Sequence, residues 1–178
     1  MCNLETAVFG GGCFWCTEAV FQRLKGVERV VPGYAGGRSL NPNYFRVSEG
    51  ITGHAEVIKL EFNPQIISYE QLLDVFWHVH DPTTLNKQGA DVGTQYRSII
   101  LYTSDQQRIT AEKALADLEK SAEFTSPIVT ELQPLDTFYD AEEYHRNYFD
   151  RNQTEPYCEL VISPKIEKLI KRYNDLLK

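Results

Sequence analysis

Two cysteines separated by two residues follow directly on three glycines near the start of the chain. Gly10, Gly11 and Gly12 precede Cys13, and Cys16 lies one helical turn further on. The glycines allow a tight turn out of a short strand, and that turn places Cys13 at the start of a helix. Free amide groups and the positive end of the helix dipole favour a thiolate there. A thiolate is the nucleophilic form of cysteine, so the motif predicts redox or nucleophilic chemistry at Cys13.

Other uses of this motif fit the sequence less well. A phosphate-binding loop needs Lys and Ser or Thr after the glycines, and the Rossmann glycine spacing is absent too. A zinc site usually draws on two close ligand pairs, and His78 and His80 are two residues apart, so they point to different sides of a helix. No metal site is therefore predicted. The structural alternative is a glycine-rich turn that carries two buried cysteines.

A carboxyl group lies on an otherwise apolar strand face. Side chains alternate along residues 54–62, so Glu56 shares its face with Ile58, Leu60 and Phe62. Burial among them disfavours the carboxylate and raises its pKa. A carboxylic acid that stays protonated near neutral pH can donate a proton. Glu56 is therefore predicted to act as an acid, unless the end of the strand leaves it in solvent.

Aromatic and polar side chains elsewhere could complete a site for an uncharged substrate. Phe14 and Trp15 follow Cys13 directly and suit either the core or the lining of an apolar pocket. Residues 43–44, 88–96 and 145–148 combine tyrosines with polar side chains. A phenol can donate a hydrogen bond to an oxygen that acquires charge, although a single Tyr is more often a packing residue.

Turn signals and periodicity predict the elements that position these residues. Strands are predicted over 6–9, 27–31, 54–62, 97–103 and 128–135, and helices over 13–24, 68–80, 104–122 and from 163 onward. Ser68 and Gln71 are predicted to form a capping box at the start of the second helix. The second strand is expected to end at Pro32-Gly33, and Cys158 to lead into a further strand. The uneven alternation predicts an α+β two-layer sandwich, with a mixed β-sheet covered by helices and a ferredoxin-like core with long loops. Residues 1–178 are predicted to form a single catalytic domain, with the segment from about 150 wrapping the core.

Composition restricts the class of protein. The 178 residues carry 18 Lys and Arg against 25 Asp and Glu, a formal net charge of −7. This acidic balance argues against nucleic acid or an anionic membrane as a partner. No apolar run approaches the roughly 20 residues of a membrane span. The first residues show neither the basic nor the apolar region of a secretory signal, which predicts a cytoplasmic protein.

Six ordered motifs resemble those of the A-type peptide methionine sulfoxide reductases. They are Gly-Cys-Phe-Trp at 12–15, Gly-Tyr-Ala-Gly-Gly at 33–37, Asn-Pro-Asn-Tyr at 41–44, Gly-His-Ala-Glu at 53–56, His-Asp-Pro at 80–82 and Gly-Thr-Gln-Tyr-Arg-Ser at 93–98. The resemblance spans residues 7–148 and implies the α+β sandwich of that family. It also implies reduction of the S epimer of methionine sulfoxide, free or within proteins, without a metal or an organic cofactor.

The same resemblance implies a role for individual residues. Cys13 would be the nucleophile, and Phe14 and Trp15 would form the pocket for the methyl group of the substrate. Glu56, with Tyr44 and Tyr96, would bind the sulfoxide oxygen and help to protonate it. Asp91 would anchor the polar loop and the substrate backbone. Cys13 would become a sulfenic acid, which a second thiol would convert to a disulfide. A thioredoxin-like dithiol would then reduce that disulfide, and the protein is expected to act as a monomer.

The chain departs from the commoner pattern of that family at its other cysteines. Members often have Gly where this chain has Cys16, and many carry resolving cysteines in a glycine-rich C-terminal tail. Here no Gly follows Gly93, which predicts a stiffer tail and a less mobile Cys158. Cys16 lies one helical turn from Cys13, so Cys16 is the first choice for the resolving cysteine and Cys158 the alternative. Cys2 receives no role.

Two other functions fit part of the pattern. A thioredoxin-like thiol–disulfide oxidoreductase would use Cys13 and Cys16, but it would leave Glu56 and the two intervening aromatic residues without a purpose. A non-enzymatic module that binds apolar or oxidised peptide segments would not need a reactive Cys13.

Overall fold

A six-stranded mixed sheet lies at the centre of the protein. The computed structural model describes residues 3–178, so Cys2 lies outside the described residues. In chain order the strands are β1 (Glu5–Gly10), β2 (Val27–Ala35), β3 (Ala55–Phe62), β4 (Lys87–Gln88), β5 (Asp91–Val92), β6 (Ile99–Tyr102), β7 (Glu131–Pro134) and β8 (Tyr139–Asp140). The sheet has the order β7-β6-β1-β3-β2-β8, and β4 with β5 forms a separate hairpin. The β6–β7 pair is parallel, and the other pairs of the large sheet are antiparallel.

Helices cover one face of this sheet. They are α1 (Phe14–Phe21), α2 (Tyr44–Ser48), α3 (Tyr69–Val79), α4 (Asp105–Ser121), α5 (Tyr148–Arg151) and α6 (Ser163–Tyr173). The predicted capping box of Ser68 and Gln71 begins α3. Apolar residues of α1, α3 and α6 pack against the sheet in one large core, and Leu135 and Phe138 pack against a smaller cluster that includes Val8 and Val57. The predicted α+β sandwich with a mixed sheet is confirmed. Within residues 3–178, no helix is both long and apolar enough to cross a membrane.

The second strand is longer than predicted, because it continues through Pro32-Gly33 to Ala35. Pro32 pairs with Ile58 of β3, and its carbonyl accepts a hydrogen bond from the Ala141 N–H at 2.9 Å. The amide that Pro32 lacks would point to the same side as that carbonyl. On that side β2 meets only the short edge strand β8, so the missing donor costs the sheet little.

The expected strand after Cys158 is also wrong. Residues Cys158–Ile162 form a wide helical turn that runs directly into α6. Cys158 and Ile162 are fully buried, whereas Leu160 between them is 77% exposed. A strand would place Cys158, Leu160 and Ile162 on one face, so the burial pattern requires a helix.

Candidate active site

The glycines before α1 let the chain pass close to neighbouring side chains. A Cβ atom on Gly11 would lie 2.9 Å from the His80 ring. Gly12 has a φ of +90°, and its Cβ would lie 2.7 Å from the Gln88 side chain. This route places Cys13 at the N-cap position of α1. Only glycine combines the required backbone conformation with the required space.

Replacement of Gly12 by Ala is therefore expected to lower the free energy of unfolding by about 2 kcal/mol, through backbone strain and the contact with Gln88. Gly89→Ala is the matched control, because Gly89 also has positive φ (+57°), but a methyl group on it would have no heavy atom within 4 Å. Urea unfolding of both variants measures the difference. Equal losses in the two variants would show that the close approach at Gly12 contributes nothing.

Cys13 and Cys16 form a coupled pair of buried thiols. Cys13 is 8% exposed and Cys16 is 1% exposed. Burial raises the pKa of Cys13 well above its ordinary value. The hydrogen bond from Cys13 and the positive charge of Lys165 lower the pKa of Cys16 to about 7. The sequence predicted the thiolate at Cys13, but burial raises the pKa of Cys13, and a negative charge on the pair is favoured on Cys16 instead.

Glu56 lies beside this pair at the start of β3. It is 2% exposed, and its carboxyl oxygen accepts a hydrogen bond from the Phe14 N–H at 3.0 Å. Burial raises the pKa of Glu56 to about 8, although that hydrogen bond acts in the opposite direction. The carboxyl group is therefore largely protonated at neutral pH. It occupies the buried face of β3 that strand alternation predicted.

Tyr44 and Tyr96 come to the same centre from separate loops. Tyr44 begins α2, and Tyr96 ends a short 3₁₀ turn, Thr94–Tyr96. Burial raises the pKa of Tyr44 to about 12 and also raises that of Tyr96, and the nearby Glu56 and Cys13 add to both shifts. Both phenols therefore keep their protons and can donate hydrogen bonds.

Asp91 on β5 is joined to the sulfur pair through a tyrosine. The Tyr157 hydroxyl donates a hydrogen bond to Asp91 Oδ2 at 2.6 Å and lies 3.8 Å from Cys16 Sγ. Burial raises the pKa of Tyr157, and the adjacent Cys13 adds to the shift. Asp91 thus belongs to the site, where it holds Tyr157 against Cys16.

The two aromatic residues after Cys13 have different surroundings. Trp15 is partly exposed, stacks on Tyr148 at 3.7 Å between ring centres, and donates its indole N–H to His145 Nδ1 at 3.0 Å. Phe14 is fully buried, and its ring centre lies 4.9 Å from that of His145. The accessible aromatic surface at this point therefore comes from Trp15, with Phe14 packed behind it.

Two further residues organise the site and were not identified from the sequence. Glu142 accepts hydrogen bonds from the Tyr44 N–H at 2.8 Å and the Tyr34 hydroxyl at 2.7 Å, so it holds α2 in place. Tyr157 provides the link between Asp91 and Cys16. Only their positions in the sequence could have pointed to these two residues, because Tyr157 precedes Cys158 and Glu142 lies close to His145 along the chain.

Cys158 lies near Cys16 but in a different setting. It is fully buried in the helical turn before α6, and burial raises its pKa. The structure thus gathers most of the predicted residues around one centre, and these are Cys13, Phe14, Trp15, Cys16, Tyr44, Glu56, Asp91 and Tyr96. In the part of the chain that the structure describes, no three His, Cys, Asp or Glu side chains are grouped so as to hold a metal ion.

Comparisons with known proteins agree on one family. The family model described as peptide methionine sulfoxide reductase matches residues 5–176. The peptide methionine sulfoxide reductase MsrA of Saccharolobus solfataricus is 53% identical over 175 residues, which cover 98% of this chain and 98% of that protein. The crystal structure of Mxr1 from Saccharomyces cerevisiae in reduced form is similar with a TM-score of 0.82 and 35% identity, over 88% of this chain and 90% of that one. Mxr1 in complex with Trx2 is similar with a TM-score of 0.59 and 26% identity, over 82% of this chain and 85% of that one.

Proposed function

The chain belongs to the peptide methionine sulfoxide reductase family, and we propose that Cys13 is the nucleophile of that reaction here. The protein is an oxidoreductase that reduces methionine sulfoxide to methionine. The observation that supports Cys13 is its position at the start of α1 beside Glu56, a buried carboxyl group with a pKa of about 8. A nucleophile and a proton donor side by side are what reduction of a sulfoxide requires.

In the first step the Cys13 sulfur attacks the sulfoxide sulfur. The proton that the two thiols share moves from Cys13 to Cys16 during this attack, so that Cys13 reacts as the thiolate. Glu56 gives its proton to the sulfoxide oxygen, and Tyr44 and Tyr96 donate hydrogen bonds to it. The S–O bond of the substrate breaks, and the oxygen remains on Cys13 as a sulfenic acid. The substrate sulfur gains two electrons, which the Cys13 sulfur loses, and methionine leaves.

Substrate binding draws on the groups around this centre. The partly exposed Trp15, backed by Phe14, offers an apolar surface to the methyl group of the substrate. Asp91 offers a hydrogen-bond acceptor to the substrate backbone. The fixed positions of the nucleophile, the acid and the aromatic surface allow the site to distinguish the two epimers of a chiral sulfur, and the resemblance to the family implies that it selects the S epimer.

In the second step Cys16 attacks the Cys13 sulfenic acid and forms a disulfide. Cys16 is favoured over Cys158 because it is hydrogen-bonded to Cys13 and has the lower pKa of the two candidates. A thioredoxin-like protein then reduces the disulfide, a choice supported by the structure of Mxr1 in complex with Trx2. The proposed enzyme uses no metal or organic cofactor, acts as a monomer, and works in the cytoplasm.

A single-turnover experiment on the separated sulfoxide epimers tests this function. Without an external reductant, we expect one methionine per protein from the S epimer and none from the R epimer. Two of the four thiols should be lost, and mass mapping should find a Cys13–Cys16 disulfide.

Three results would count against these assignments. Consumption of the R epimer would contradict the proposed specificity. A Cys13–Cys158 disulfide, with full turnover in Cys16→Ser, would make Cys158 the resolving cysteine. Rapid reduction of insulin disulfides without any loss of sulfoxide would favour a general thiol–disulfide oxidoreductase.

A further inference from the structure

Cys16 has a polar connection toward the surface that does not pass through Cys13. Its side chain is almost fully buried, so bulk water does not reach the sulfur directly. The Tyr157 hydroxyl lies 3.8 Å from Cys16 Sγ and donates to Asp91 Oδ2 at 2.6 Å. Asp91 is partly exposed on the β4–β5 hairpin. The three groups therefore form a continuous chain from a buried sulfur to a carboxylate in contact with solvent.

The proposed reaction creates a need for such a chain. When Cys13 attacks as the thiolate, the proton that the two thiols share has moved to Cys16. Cys16 must lose this proton before its sulfur can attack the sulfenic acid. Because the Tyr157 hydroxyl already donates its hydrogen to Asp91, its oxygen is free to accept a hydrogen bond from the Cys16 thiol.

We propose that Tyr157 and Asp91 carry the Cys16 thiol proton to solvent while Cys16 attacks the Cys13 sulfenic acid. Tyr157 takes the proton from sulfur as its own proton passes to Asp91. The S–S bond forms as the S–O bond of the sulfenic acid breaks. Glu56, which solvent has reprotonated after the first step, gives this proton to the leaving hydroxyl, which departs as water, and Glu56 then takes up another proton from solvent. One proton is released and one is taken up, so the step balances. This inference rests on the proposed function.

The charges around Cys16 are compatible with this direction of proton flow. Lys165 on α6 favours the thiolate and lowers the pKa of Cys16. Glu56 on β3 is largely neutral near pH 7 and so opposes the thiolate little. The ionisable groups that influence Cys16 from the surrounding elements are Cys13, Glu56, Asp91, Tyr157, Cys158 and Lys165.

Tyr157→Phe tests the proposal, because it keeps the ring beside Trp15 and removes only the hydroxyl. The sulfenic acid is formed on Cys13 with hydrogen peroxide, and the appearance of the Cys13–Cys16 disulfide is followed by rapid quenching and mass spectrometry. We expect disulfide formation to slow by about 100-fold near neutral pH. The deficit should disappear in strongly alkaline solution, where hydroxide removes the proton directly. Asp91→Asn should behave in the same way, because an amide keeps the hydrogen bond but takes up no proton.

Tyr102→Phe is the matched control and should leave the rate unchanged. Tyr102 lies at the opposite end of β6 from Ile99, the residue that pairs with Gly10. A purely structural role of Tyr157 would give a deficit that is independent of pH, and that result would overturn the proposal. Unchanged rates in Tyr157→Phe, or a disulfide that involves Cys158, would overturn it as well. Because peroxide forms the sulfenic acid, failure of sulfoxide reduction would show in the single-turnover experiment and not in this one.

Discussion

Replacement of Cys13 by Ser is expected to reduce the rate of methionine sulfoxide reduction by a factor of about 10⁴ or more. Ser has nearly the same size as Cys, so the turn from β1 into α1 should survive. Its hydroxyl is a weak nucleophile, because nothing at this site lowers its pKa into the physiological range. Single-turnover release of methionine from the S epimer measures the effect.

The same variant separates loss of chemistry from loss of structure. Urea unfolding should give a stability close to that of the unaltered protein, because the Glu56–Phe14 hydrogen bond does not involve the Cys13 side chain. Residual turnover above about one part in a hundred would mean that another thiol attacks the sulfoxide. Cys16 is the first candidate for that thiol, because it has the lower pKa of the pair. Loss of the residual turnover in the double variant Cys13→Ser/Cys16→Ser would identify Cys16 as the attacking thiol.

Glu56→Gln is expected to slow the first step by about 10² to 10⁴, the range typical of removing a general acid. Gln keeps the shape of Glu and an oxygen that can accept the Phe14 N–H, but it has no acidic proton. The pH profile should change as well. In the unaltered protein the rate should rise as the thiol pair ionises near pH 7 and fall as Glu56 deprotonates near pH 8. The Gln variant should retain the rise and lose the fall.

Glu56 also predicts how stability depends on pH. Its pKa is about 8 in the folded protein, against an ordinary value of 4.5, so the folded state binds more protons between those values. The contribution of Glu56 to the free energy of unfolding is greatest below the lower value. It declines as pH rises toward about 8, by about 1.4 kcal/mol per pH unit. Glu56→Gln should remove this decline, whereas Glu61→Gln on the partly exposed face of β3 should not.

An unaltered rate and pH profile of sulfoxide reduction in Glu56→Gln would remove Glu56 from the mechanism.

Features that depend on local sequence were predictable. Alternation along β3 was sufficient to bury Glu56, because three apolar neighbours on the same face commit that face to the core. The glycines and the helix signal that follows them were sufficient to place Cys13 at the start of α1. The capping box at Ser68 likewise located the start of α3. Each of these inferences uses residues within a few positions of one another.

Features that depend on distant partners were not predictable. Which sulfur of the pair ionises is decided by their mutual hydrogen bond and by Lys165 and Tyr157, which come from a separate part of the chain. Tyr157 is separated from Cys16 by 141 positions. The helical turn at Cys158 replaces the expected strand for a similar reason, because the surface that buries Cys158 and Ile162 is supplied by the rest of the core.

The position of α1 within the fold has a consequence for biosynthesis. This helix packs against α6 and the turn before it. The backbone beyond α1 is held by residues near position 177, since the Lys178 N–H donates to the Arg23 carbonyl at 2.9 Å and the Lys25 N–H to the Leu176 carbonyl at 2.7 Å. Residues 157–178 leave the ribosome long after Cys13 and Cys16. Until that segment has been synthesised, Cys13 and Cys16 lack the cover that it supplies, so the buried environment of the pair is completed only when the late segment docks.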